Sequence, residues 1–163
     1  GMAICFNEND VRCMGRDAAG VRGISLNEGD YVVGAEKMEE GKTLLTLTEN
    51  GYGKRTALPE YLRTGPDGEK IPQSRGGKGL KNYNITSKTG SIAGCRVVGD
   101  KDDVMLIENG GVIIRIPASS INVYKRDTQG VIVMRIDEGN KVVSIERVEQ
   151  EEEEPADTQE TQE

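Results

Sequence analysis

With 163 residues, 35% of them hydrophobic, and 21 glycines, the chain suits one turn-rich domain with a core. The net charge of −7 hides a division: eight of 28 acids fall in 149–163, which carries no base, so 20 acids face 21 bases elsewhere. There is no histidine and no C-x-x-C pair, so zinc sites of four cysteines, or of two cysteines with two histidines, are excluded, and so is the commonest general base.

From the start, "GMAICFNEND" lacks the basic and apolar regions of a signal peptide, and residues 1–2 read as a cloning remnant. Cys5, Cys13 and Cys95 are odd in number and widely spaced, which points to a reducing, cytosolic compartment. No run of about 18 apolar residues occurs, so no membrane span is expected.

The segment "RDAAGVRGISLNEGDYVVG" begins at Arg16 and contains the first R-x-x-x-G-(V/L) frame. Next comes "LTLTENGYGKRTALPEYLR" from Leu45, then "RGGKGLKNYNITSKTGSIAG" from Arg75, with the frame again. "VMLIENGGVIIRIPASSINVYKR" from Val104 matches the Leu45 segment, anchored on Glu49-Asn50-Gly51 and Glu108-Asn109-Gly110. "RDTQGVIVMRIDEGNKVVS" from Arg126 closes the series. The arginines lie 59 and 51 residues apart; taking out 64–72 from the first interval and one residue of "TSKTG" from the second leaves 50 in both. The chain thus reads as a repeat entered midway: a partial unit at 3–38, a complete one at 39–99 with an insertion at 64–72, and a last one at 100–148.

Short β-branched runs ("VMLI", "VIIRI", "VIVMRI", "KVVSIERV") separated by Asn-Gly and Glu-Gly turns give about four strands per unit. A four-stranded unit of this period predicts an all-β, propeller-like array of antiparallel blades, which must stack to bury both faces. Residues 149–163, with like charges and Pro155, read as a disordered acidic tail.

Equivalent loops of stacked blades share one rim, so the frame predicts a row of cations. Its members are Arg16, Arg75 and Arg126, reinforced by Arg22, Lys54, Arg55, Lys78, Lys81, Arg115 and Lys125. Gly76, Gly77 and Gly79 in "RGGKG" permit left-handed backbone and close approach to a phosphate. Such a row suits duplex DNA. "RGGKG" is not a nucleotide loop of the G-x-x-x-x-G-K-(S/T) kind. Tyr31, Tyr52, Tyr61, Tyr83, Tyr124 and Phe6 sit in or beside strand runs and read as packing residues, and "NEGD" and "DEGN" as turns.

The stretches "MGRDAAGVRGISLNEGDYVV", "ENGYGKRT" and "TQGVIVMR" resemble the C-terminal region of the bacterial DNA gyrase A family, from about Ala3 to Val148. That resemblance implies a β-pinwheel, a propeller-like disc that wraps duplex DNA on its basic rim. Residues 73–79, "QSRGGKG", are similar to the family's seven-residue box, with Ser74 where the box has arginine, and the resemblance assigns Arg75 and Lys78 to DNA. It implies no catalytic residue, metal or cofactor in this chain: DNA cleavage, magnesium and ATP belong to other parts of a holoenzyme that includes gyrase B and the N-terminal part of gyrase A. It implies a cytoplasmic, nucleoid-associated protein. The eight acids of the tail resemble a short polyanion that could compete with DNA for the rim, or serve solubility alone. The C-terminal array of topoisomerase IV and a propeller-like protein-interaction platform stay open as alternatives.

Overall fold

The computed structural model describes residues 1–149, so the acidic tail lies almost wholly outside the described residues. The strands in chain order are β1 (Met2–Ala3), β2 (Thr43–Thr48), β3 (Tyr52–Ala57), β4 (Arg63–Thr64), β5 (Lys70–Ile71), β6 (Leu80–Lys81), β7 (Ile92–Val98), β8 (Asp103–Glu108), β9 (Ile113–Pro117), β10 (Val131–Ile132) and β11 (Val142–Val148). Short 3-10 turns at Glu8–Asp10, Leu58–Tyr61 and Ala118–Ser120 follow β1, β3 and β9. The all-β expectation holds: every pairing between named strands is antiparallel.

Two sheets carry the repeat. One has the order β10-β3-β2-β7 and the other β11-β8-β9. Thr43 pairs with Ala57 and Val98, and Asp103 pairs with Pro117 and Val148. The hairpins therefore correspond at a shift of 60 residues and the last strands at 50. Gly51 stands opposite Gly111, not Gly110, so the Glu-Asn-Gly alignment is one residue out. The conformations say why: Gly51 and Gly111 both have positive φ, at 78° and 94°, and each donates its N–H back to the last residue of the preceding strand. At Gly51 a Cβ would stand 2.0 Å from the Met134 carbonyl oxygen.

The strands are not all kept within their own repeat. β10, from the third unit, pairs with β3 of the second (Val131 with Gly53, Ile132 with Tyr52). β6, from the second, pairs with β1 of the first (Ala3 with Leu80, Met2 with Lys81). The second and third units thus each lend a two-residue strand to the unit before. "VIVMRI" accordingly forms only this short strand, after which Met134 turns into the core. Residues 1–2 belong to the fold rather than outside it: Met2 is strand, and the Gly1 carbonyl accepts from Asn82 N–H at 2.9 Å. The insertion holds a small hairpin, β4 with β5, turned at Gly65 to Gly68.

The core lies between the two repeat sheets and is made of Leu45, Leu47, Val98, Val104, Leu106, Ala118, Ile121, Met134, Val142 and Ile145. β8 alternates buried and half-buried residues, the period of a strand with one face in the core. β2 has its last four residues buried on both faces. On the face away from the core, Thr46 is covered by Asn82, which donates from Nδ2 to its hydroxyl at 3.2 Å. Removing a core side chain such as Leu45 costs about 2–5 kcal/mol. Close contact of the sheets needs Gly94, where a Cβ would lie 2.7 Å from Ile145 Cγ2.

Candidate nucleic-acid interface

The three R-x-x-x-G loops are joined end to end. Arg75 Nη1 donates to the Arg22 carbonyl at 2.6 Å, and Arg126 Nη1 donates to the Lys81 carbonyl at 2.9 Å. These are the same contact at two successive junctions, because Arg22 and Lys81 hold the same place in their repeats. Gly76 N–H donates to Gly23 O at 2.8 Å and Ser25 N–H to Gly77 O at 2.8 Å. At the next junction Asn84 N–H donates to Thr128 O at 3.2 Å. Loop 16–25 therefore touches loop 75–81, which touches loop 125–132, so the three loops form one continuous strip.

The opening arginines of the second and third loops have a structural role. Arg75 also donates from Nε to the Asp10 carbonyl at 2.9 Å, and both Arg75 and Arg126 are half-buried. The closing glycines are structural as well. Gly79 and Gly130 have φ of 76° and 70°, and a Cβ on either would lie 2.3 Å from a carbonyl oxygen of the preceding sheet, Ala3 or Gly53. Gly76, with its N–H already engaged, has no free donor for a phosphate. The expectation that these glycines expose N–H groups is corrected for Gly76, and Gly79 is explained by strand exchange. Ser74, Gly77 and Lys78 are the exposed part of the box.

The charged side chains exposed along the strip are the bases Arg16, Arg22, Lys78, Lys81 and Lys125 and the acids Asp17 and Asp127. Lys81 Nζ reaches only the neutral Asn84 Oδ1, at 3.2 Å, so its charge is uncompensated there. Among the described residues none of these five bases forms an ion pair with a carboxylate.

Three of the residues expected on the rim are elsewhere. Lys54 is wholly buried, its ammonium donating to the carbonyls of Lys125 at 2.8 Å and Arg126 at 2.6 Å and lying 5.2 Å from the centre of the Tyr83 ring. Burial lowers its pKa to about 8 against the opposing pull of Asp127 and Glu60. Arg55 is 6% exposed, donates from Nε to Ile121 O at 2.7 Å and pairs with Asp100 at 2.5 Å. Arg115 lies on β9 and pairs with Asp103 at 2.8 Å. β3 is covered on both faces, so the neighbours Lys54 and Arg55 are buried alike, and the donors of each meet carbonyl or carboxylate oxygens.

Two supports of the strip were not legible as such. Glu60 accepts the Arg126 N–H at 3.1 Å, and Tyr83 donates its hydroxyl to Gln129 O. Glu60 had a signal: it lies 50 residues after Asp10, whose carbonyl receives Arg75. Tyr83 is fully buried, as is Tyr61 at 4%; burial pushes the Tyr61 phenol up to about 12. Tyr31 is the exception among the aromatics, 68% exposed rather than packed.

The family model described as "DNA gyrase C-terminal domain, beta-propeller" matches residues 1–37, 42–71, 69–99 and 102–149. The DNA gyrase A protein of Staphylococcus epidermidis is 41% identical over 150 residues, and that of Escherichia coli K12 is 40% identical over 148. Each alignment covers 91% of this chain and 16% of the relative, so the chain spans about a sixth of their length. A solved DNA gyrase A C-terminal domain superposes with a TM-score of 0.79 at 30% identity, over 90% of this chain and 47% of that one. The C-terminal domain of DNA topoisomerase IV superposes with a TM-score of 0.79 at 28% identity, over 91% of this chain and 44% of that one. Matched along nearly all its described length by sequence and by fold, this chain belongs to the DNA gyrase C-terminal domain family.

Proposed function

We propose that the chain binds duplex DNA along the strip formed by its three R-x-x-x-G loops and holds it bent, as the wrapping part of a DNA gyrase A protein. One observation supports this reading: successive loops are stapled to one another by the same arginine-to-carbonyl contact, and these joined loops carry the exposed cations Arg16, Arg22, Lys78, Lys81 and Lys125. A line of cations at repeat spacing meets a backbone that is itself a line of phosphates. Bending costs on the order of 1–6 kcal/mol per 20–30 base pairs, and the phosphate contacts offset it. In the longer protein, together with gyrase B and the N-terminal part of gyrase A in the bacterial cytoplasm, wrapping would set the hand of the DNA crossing. ATP-driven strand passage then adds negative supercoils.

Because contact is to backbone, sequence preference is weak and salt dependence strong. With five cations engaged, the log–log salt slope of duplex binding is roughly −4 to −5. A slope near zero overturns the reading. The topoisomerase IV alternative rests on the equal TM-score, but the curated relatives at 40–41% identity bear the gyrase A name.

A further inference from the structure

Among the described residues, Lys54 offers the one fully buried ammonium, and it sits directly beneath the strip. Its Nζ holds two adjacent carbonyls, those of Lys125 and Arg126, whose side chains belong to the third loop. The equivalent position in the first unit is Ile4, and in the last sheet Ile114, so the device is confined to one junction. At the preceding junction the box loop is held differently, by Gly76 N–H on Gly23 O. "RDTQG" has no glycine at that position, and a lysine from the preceding sheet does the holding.

We propose that Lys54, resting on the DNA reading above, is a positioning residue and a buried charge for the strip: it orders the Lys125–Arg126 loop and adds a positive charge beneath it that proton loss removes. The two contributions are separable. A neutral amine keeps two N–H groups for the two carbonyls, so the loop stays in place when the charge goes. The charged groups facing Lys54 are Asp127 and Glu60, which favour its ammonium, and Arg126, which opposes it; the Tyr83 ring lies against it.

The pH signs then differ for binding and for folding. The ammonium is lost from the folded chain near pH 8, whereas an unfolded lysine keeps its proton to 10.5. Between those values the unfolded state binds more protons, so this residue makes stability rise with pH. DNA affinity moves the other way over the same range, because the charge under the strip disappears.

The test is anisotropy of a labelled linear duplex at fixed ionic strength, between about pH 7 and pH 9, with urea unfolding in parallel. Wild type is expected to lose affinity about threefold across the range, and Lys54→Met to bind more weakly at the lower pH with a flatter profile. The Gly1 ammonium, whose pKa burial lowers from 8.0, titrates in both proteins and cancels in the comparison. Lys54→Arg, which cannot lose its proton in this range, checks the charge independently if it folds: its profile is flat as well. Parallel pH profiles in wild type and Lys54→Met, with both binding DNA, overturn this proposal and leave the DNA reading intact. No salt-dependent binding by wild type at any pH overturns both.

Discussion

Arginine and lysine divide the work within the box. Arg75 spends its donors on Asp10 and Arg22 carbonyls, while Lys78 reaches no protein acceptor among the described residues and is exposed. Arg75→Ala is therefore expected to lower unfolding free energy by about 1–2 kcal/mol, and Lys78→Ala to leave it within about 0.5, in urea titrations. Both weaken DNA binding: the first by loosening the junction, the second by removing a phosphate contact. Glycine gives a sharper contrast. Gly79→Ala puts a left-handed Cβ against the Ala3 carbonyl and costs about 2–4 kcal/mol, whereas Gly20, with the same φ sign but open space around it, costs about 1. The R-x-x-x-G frame was legible in the sequence as a repeated frame with a shared rim. What was not legible is that its arginine and glycine serve the junction, because one spacing is compatible with binding a phosphate and with binding a carbonyl.

The period of the elements was legible and their exchange was not. Counting residues between arginines separates the repeats from the insertion, and the structure pairs Arg63 with Ile71 and Thr64 with Lys70 across it as the β4–β5 hairpin. Its base is still the ordinary junction: Gln73 N–H donates to Cys5 O at 2.7 Å, as Tyr124 N–H does to Arg55 O at 2.8 Å. Joining Arg63 to Gln73 reproduces the spacing found at Cys13-Met14 and Val123-Tyr124. Deleting 64–72 is thus expected to leave a folded chain within about 1 kcal/mol of the parent in urea. Loss of cooperative unfolding would show that the hairpin supports the sheet. The swapped strands β6 and β10 escaped the sequence reading because apolar alternation marks a strand but says nothing of its partner. Lys54 and Arg55 escaped it for a related reason: a strand covered on both faces buries alternate and intervening residues alike, so charge is a poor sign of exposure there.

At the scale of the molecule, charge is arranged by element rather than by composition. Arg16, Arg22, Lys78, Lys81 and Lys125 on the joined loops are exposed and form no ion pair among the described residues, whereas four arginines of the larger sheets are tied: Arg55 to Asp100, Arg96 to Glu36 and Glu146, Arg115 to Asp103, and Arg147 to Asp102, Glu39 and Glu149. Arg115→Ala is accordingly expected to leave duplex affinity unchanged in a gel shift, despite its place among the cations first expected to bind. Overall charge and fold class were readable from the residues alone, but which cations remain free depended on pairings that only the folded chain creates. The most direct measurement is duplex binding by a triple variant, Lys78→Ala with Lys81→Ala and Lys125→Ala, checked for an unchanged urea midpoint. The strip predicts that the log–log salt slope falls by about three and that affinity drops at least about tenfold at low salt. Unchanged affinity and slope in that folded variant would contradict it, and DNA would have to lie on another face.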